Sequence, residues 1–107
     1  MKVDRAKLEK ELLKISEDLK RLGAKKIVLF GSLARGEPRL SSDIDLLAIF
    51  EDNDHFKNRM RKIYSEIESE VDFDILAYNR EEYERVKDRS LFRRIAKEGK
   101  VIYEVGR

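Results

Sequence analysis

Three short segments of this chain hold residue types that could do chemistry together: Gly31-Ser32, Asp43-Ile44-Asp45 and Val71-Asp72-Phe73-Asp74. That chemistry would be the handling of phosphates and hard cations. Glycine lets a phosphate approach the backbone closely, and serine adds a hydroxyl. If Ser32 opens a helical turn, the unbonded N–H groups of that turn also favour an anion. Arg35, one turn on, could reach the same phosphates. Asp43 and Asp45 repel each other when close, and a divalent cation relieves that repulsion, because magnesium prefers carboxylate and phosphate oxygens. A pair of metal ions about 4 Å apart could bridge such carboxylates and flank a phosphoryl group. An aspartate such as Asp74 is costly within an otherwise apolar strand unless it is paired or metal-bound.

Positioning these groups falls to a short series of elements. Leu8, Leu12, Ile15, Leu19 and Leu22 recur every three or four residues, so the spacing predicts a helix over residues 4–22 with one apolar stripe. Gly23 sits where a C-terminal glycine belongs. Residues 26–30 are β-branched and aromatic, which predicts a buried strand stopping at Gly31-Ser32. Residues 31–42 hold two glycines, the only proline and three serines, and read as a turn, a brief helical segment near Leu33-Ala34-Arg35, and a loop. Residues 44–50 are nearly all apolar, as in a strand covered on both faces. Asp52, Asn53 and Asp54 are good helix starters, and Phe56, Met60, Ile63, Tyr64 and Ile67 mark one face of a helix running to about residue 70. A strand follows over 71–78, then helices over 80–88 and 90–98, the second ended by Gly99, and a last strand over 100–104.

The order α-β-turn-β-α-β-α-α-β predicts an α/β (α+β) fold, a small mixed sheet with flanking helices. Alternation puts Asp43 and Asp45 on one face of their strand. Likewise Val71, Phe73 and Ile75 share one face of the next, with Asp72 and Asp74 on the other. Gly31-Ser32 ends its strand and Asp43 and Asp45 begin theirs, so they meet at one edge of the sheet if those strands are antiparallel. The intervening helix is long enough for a parallel crossover to the strand of Asp74. Asp74 can then face Asp45, and three carboxylates gather beside a phosphate-holding turn.

Composition narrows the functions. A chain of 107 residues is the usual size of one domain, here expected over 1–107, with one modest core and no length for a second, substrate-binding domain. Charged residues are 43% of the chain, but 24 Lys and Arg nearly cancel 22 Asp and Glu. A net charge of +2 is too small for a general nucleic-acid binder, so direct nucleic-acid binding is not expected. With no cysteine, disulfides and thiolate chemistry are excluded. The N-terminal residues lack an apolar signal-peptide core, and no apolar run approaches the ~20 residues that cross a bilayer. The expectation is a cytoplasmic protein with no membrane association.

On these segments the sequence resembles a known family. GSLARGEPRLSSDIDLLAIF is similar to the signature of the DNA-polymerase-β-like nucleotidyltransferases: Gly-Ser, ten residues, Asp-x-Asp. It looks closest to the minimal nucleotidyltransferases, the small partners of HEPN proteins in prokaryotic toxin–antitoxin pairs. VDFDILAYNREEYERV resembles that family's third-carboxylate strand and following helix, and LFRRIAKEGKVIYE its final helix and strand. The resemblance implies the polymerase-β-like fold. It implies that Gly31 and Ser32 hold nucleotide phosphates, with Arg35 at the Arg of the family's Gly-Ser-x-Ala-Arg-Gly form. It implies that Asp43 and Asp45 bind magnesium, two ions in all. Asp74 is then the third carboxylate and metal ligand, and helps deprotonate or orient the attacking hydroxyl. ATP would be the substrate, and a tyrosine of a HEPN ribonuclease toxin the acceptor of AMP, in a hetero-oligomer with that toxin. The extra acid at Asp72 departs from the pattern. Asp74 is preferred for the helix register that follows it and its more interior place.

Two other functions fit the same resemblance: a non-catalytic antitoxin that acts by binding alone, and a nucleotidyltransferase subunit for a small molecule or tRNA end. Plainer readings hold elsewhere. His55, the only histidine, reads as surface structure at a helix start. Lys57, Arg59, Arg61 and Lys62 read first as a solvated helix face and second as an interface for an acidic partner or RNA. Tyr64, Tyr78, Tyr83 and Tyr103 read as packing residues, and the Leu8–Leu22 stripe as packing on the chain's own sheet.

Overall fold

Asp4 starts the first helix by accepting a hydrogen bond from the Lys7 backbone N–H at 2.8 Å. The computed structural model describes residues 4–36 and 43–106. Helix α1 spans Arg5–Arg21, and Lys20 and Arg21 in its last turn complement the helix dipole. Strand β1 (Ala24–Phe30) leads directly into the one-turn helix α2 (Gly31–Arg35), closed by Gly36 in the left-handed conformation. Then come β2 (Ile44–Phe50), α3 (Phe56–Glu66), β3 (Phe73–Asn79), α4 (Arg80–Val86), α5 (Ser90–Glu98) and β4 (Lys100–Glu104). The expected loop residues 37–42 lie outside the described residues.

The four strands form one mixed sheet in the order β3-β2-β1-β4. β1 runs antiparallel to β2 and β4, whereas β2 and β3 are parallel, with α3 as the crossover that a parallel pair needs. Alternation along the strands splits the core. Ile27, Leu29, Ile44, Leu46, Ile75 and Ala77 face α1 and α3, where they meet Leu8, Ile15, Leu19 and Ile63. The leucine stripe thus packs on the chain's own sheet. Val28, Leu47 and Ile49 face the other way, against Phe92 and Ile95 of α5. Each fully buried Leu or Ile contributes about 1.5–3 kcal/mol. The larger cluster on the α1 side therefore carries most of the apolar stabilisation.

Two expectations are corrected. Helix α3 ends at Glu66, about a turn short of residue 70, and Ile67 is extended. The buried carboxylate of Glu11 captures the segment beyond it, accepting bonds from Ser69 Oγ (3.2 Å) and the Glu70 N–H (3.0 Å). These polar contacts replace a further helical turn. Secondly, Arg59 is not on a solvated face: it is 3% exposed. Its Nε and Nη2 donate to Asp52 (3.0 and 2.7 Å), Nη2 also to Asp54 O, and Nη1 to Glu82 and Ala77 O. Five bonds match the five N–H donors of a guanidinium. The side chain thus joins the loop after β2, β3 and α4.

Candidate active site

Gly31 is required twice over. Its φ is +75°, which L-residues with a β-carbon rarely adopt, and a β-carbon there would lie 2.3 Å from Asp45 Oδ2. The bend between β1 and α2 is therefore closed tightly onto the carboxylate of Asp45. The pairing of Phe30 with Asp45 across β1 and β2 produces this contact, since it puts the end of one strand beside the start of the other. Ser32 follows, half-buried, in the first turn of α2. The bend is open to solvent on one side. Gly31 and Arg35 line a hollow of about 150 Å³ with Leu91, Arg94, Ile95 and Glu98. Arg35 pairs with Glu98 at 3.7 Å, at the rim of that hollow.

Asp45 and Asp74 are register partners in the parallel pair β2–β3. Neighbouring strands lie about 4.8 Å apart, so the two carboxylates leave adjacent points of one sheet face. This is the face of Val28 and Leu47, opposite the one that packs on α1. Asp43 precedes β2 and is held by the backbone of Asp72. Its N–H and that of Ile44 donate to Asp72 O (3.0 and 3.1 Å), while its Oδ2 accepts from the Asp72 N–H at 3.3 Å. The extra acid of the third segment thus contributes a peptide group that fixes Asp43. Asp74 lies within β3 and Asp72 just before it, so Asp74 has the more interior place in the strand, although both side chains are exposed. β3 is an edge strand, and its outward face is open to solvent at this end. Its register, not its burial, singles out Asp74.

Among the described residues, no three acidic or histidine side chains converge tightly enough to hold a metal ion by themselves. Magnesium does not require that. It commonly binds one or two carboxylates and completes its shell with phosphate oxygens and water. The donors here are carboxylates beside a bend that leaves room for no β-carbon, and they suit a hard cation brought in with a phosphate. Tyr64, expected only to pack, stacks on Phe73 and also accepts a bond from the Ile75 N–H at 2.8 Å. Burial, opposed by that bond, and then the charges of Asp74 and Asp45 hold its phenol above the ordinary tyrosine range. No sequence signal marks this contact, which exists only once α3 lies along β3. His55 sits exposed at the N-cap of α3, with its side chain making no capping bond.

Residues 12–106 match the family described as "Polymerase beta, Nucleotidyltransferase". Among solved structures, the chain is similar to a protein of Sulfolobus solfataricus whose nucleotidyltransferase activity is itself inferred. The TM-score is 0.60 at 21% identity, over 97% of this chain and 92% of that one. A second structure, also of an inferred nucleotidyltransferase, aligns at 22% identity over 74% of this chain and 86% of that one, with a TM-score of 0.43 that is too low to carry an argument. The first of these likenesses bears on the fold alone. No curated protein matches the sequence.

Proposed function

Because the chain belongs to the polymerase-beta nucleotidyltransferase family, we propose that it is a magnesium-dependent enzyme moving AMP from ATP to a hydroxyl, with a tyrosine of a HEPN-type ribonuclease toxin as acceptor and neutralisation of that toxin as the outcome. One observation carries the catalytic part: Asp45 and Asp74 stand side by side across β2 and β3, next to a glycine bend that closes on Asp45. The acceptor and the antitoxin role rest on the resemblance of the three segments to the minimal nucleotidyltransferases.

Each residue has its own part in the transfer. Gly31 and Ser32 would take the triphosphate against the backbone of the bend, beside the Asp45 carboxylate that fills the space next to Gly31. Arg35 exchanges its carboxylate partner Glu98 for a phosphate oxygen, a pairing of like geometry and greater charge. Asp43, Asp45 and Asp74 would hold magnesium, which when bound offsets the charge of the triphosphate and of the leaving oxygens. Exposed Asp74 accepts the proton of the incoming hydroxyl. The hydroxyl oxygen bonds to the α-phosphorus as the bond to pyrophosphate breaks.

The test is transfer of label from α-labelled ATP to the co-purified HEPN partner. The proposal expects labelling by the wild-type protein and none by the Asp43→Asn/Asp45→Asn double variant. Complete silencing of the ribonuclease by that double variant, without nucleotide, would show that binding alone suffices.

A further inference from the structure

Asp74 lies on an edge strand, paired on one side only. Edge strands fray and slip more readily than central ones, and a catalytic carboxylate misplaced by 1 Å can lose about 10²-fold in rate. Some group must therefore hold the outer side of β3 at this point. The residues flanking Asp74 show which. The ring of Tyr64 stacks on Phe73, with centroids 5.3 Å apart and planes at 11°. Its hydroxyl accepts the outward N–H of Ile75 at 2.8 Å. Both chain neighbours of Asp74 are thus gripped by a single side chain from α3, one through its ring and the other through its backbone.

We propose that Tyr64 is the positioning residue for Asp74, clamping Phe73 and Ile75 so that the carboxylate between them stays in register with Asp45. This rests on the reading of Asp74 as part of the active site. The two grips are chemically separable. The stack requires only an aromatic ring, whereas the bond to Ile75 requires the phenol oxygen. Without that oxygen the Ile75 N–H turns to water, and the start of β3 keeps only its pairing with β2 and the ring stack on Phe73. Nucleotide binding at Gly31-Ser32, at the start of α2, does not pass through this contact.

Tyr64→Phe removes the hydroxyl and keeps the ring. The expected result is faster hydrogen exchange at the Ile75 amide, by about 10-fold, with β1 amides unchanged. In transfer assays kcat falls about 10-fold while KM for ATP stays within about twofold. Tyr64→Leu, which loses both grips, falls further in kcat. A Tyr64→Phe protein with wild-type kcat, or one whose KM and kcat suffer alike, overturns the proposal. Absence of transfer by the wild-type protein overturns the reading of the whole site, and the role of Tyr64 with it. The exchange measurement needs no active enzyme: unchanged protection of Ile75 removes the clamp itself.

Discussion

The carboxylate of Asp45 occupies the space that a β-carbon on Gly31 would need. The bend that ends β1 and an acid of β2 are thereby fitted to each other. Gly31→Ala is expected to do modest structural harm, because the clashing atom is the movable end of a side chain. The positive φ adds about 1–2 kcal/mol of strain. Displacing Asp45 removes transfer activity nonetheless. Thermal unfolding and label transfer, measured on one preparation, check this: a small fall in Tm with loss of activity. A variant that stays active despite the added methyl contradicts the fit.

Asp72 and Asp74 should separate cleanly on substitution. Asp72 acts through its peptide group, which binds Asp43 and Ile44, so Asp72→Ala keeps most activity. Asp74→Ala leaves the fold intact and abolishes transfer, since the register partner of Asp45 is gone. Steady-state kinetics of the two variants decide between the acids, and the reverse ranking would move the third carboxylate to Asp72.

Arg59 holds the far end of the sheet together. Replacing it by Met strands Asp52 and Glu82 without their guanidinium partner, and removal of one member of a buried pair costs about 3 kcal/mol at the lower end of what such losses show. The lower end applies because Asp52 keeps 34% of its side-chain surface. Denaturant unfolding of Arg59→Met measures this directly, and a loss below about 1 kcal/mol would make the network ornamental.

Glu11 should leave a signature in acid. The Glu70 N–H, then Ser69 and Lys14, hold its carboxyl below the ordinary range against an opposing effect of burial. A lowered folded value means that the stabilisation is fully present above the unfolded value of about 4.3 and is lost as pH falls through the folded one. Glu11→Gln is therefore less stable at neutral pH and shows a shallower loss below about pH 4.3. Some acid limb remains, because Asp52, held low chiefly by its bonds to Arg59, titrates over a neighbouring window. Stability measured against pH for both proteins gives the comparison. Parallel curves would mean that Glu11 does not titrate with unfolding.

Much of the fold is written in local pattern. The α1 stripe, the apolar run of β2 and the turn chemistry after Phe30 each follow from period, propensity and glycine. The parallel β2–β3 pairing, which places Asp45 opposite Asp74, follows from the helix-length crossover between those strands, whereas the antiparallel β1–β2 pairing is only a condition of the sequence reading, met by the structure. The features that stayed hidden depend on contacts between distant segments. Arg59 looks like one more cation among Lys57, Arg61 and Lys62 until Asp52 and Glu82 come around it. Glu11 sits within a charged helix and gives no hint that it will be buried and end α3 early. The exposure of Asp74 comes from β3 being an edge strand, which the order of elements does not fix. Tyr64 meets Ile75 only because α3 turns back along β3.

The proposed transfer requires metal at Asp45 and Asp74 beside Gly31. The most direct test is paramagnetic broadening of backbone amides by manganese(II), added with a non-hydrolysable ATP analogue. Broadening is expected to centre on Gly31, Asp45 and Asp74 and to be lost in Asp45→Asn. Broadening centred instead on the hollow lined by Glu51, Asp52, Arg80 and Glu81, or equal in the variant, would rule this out.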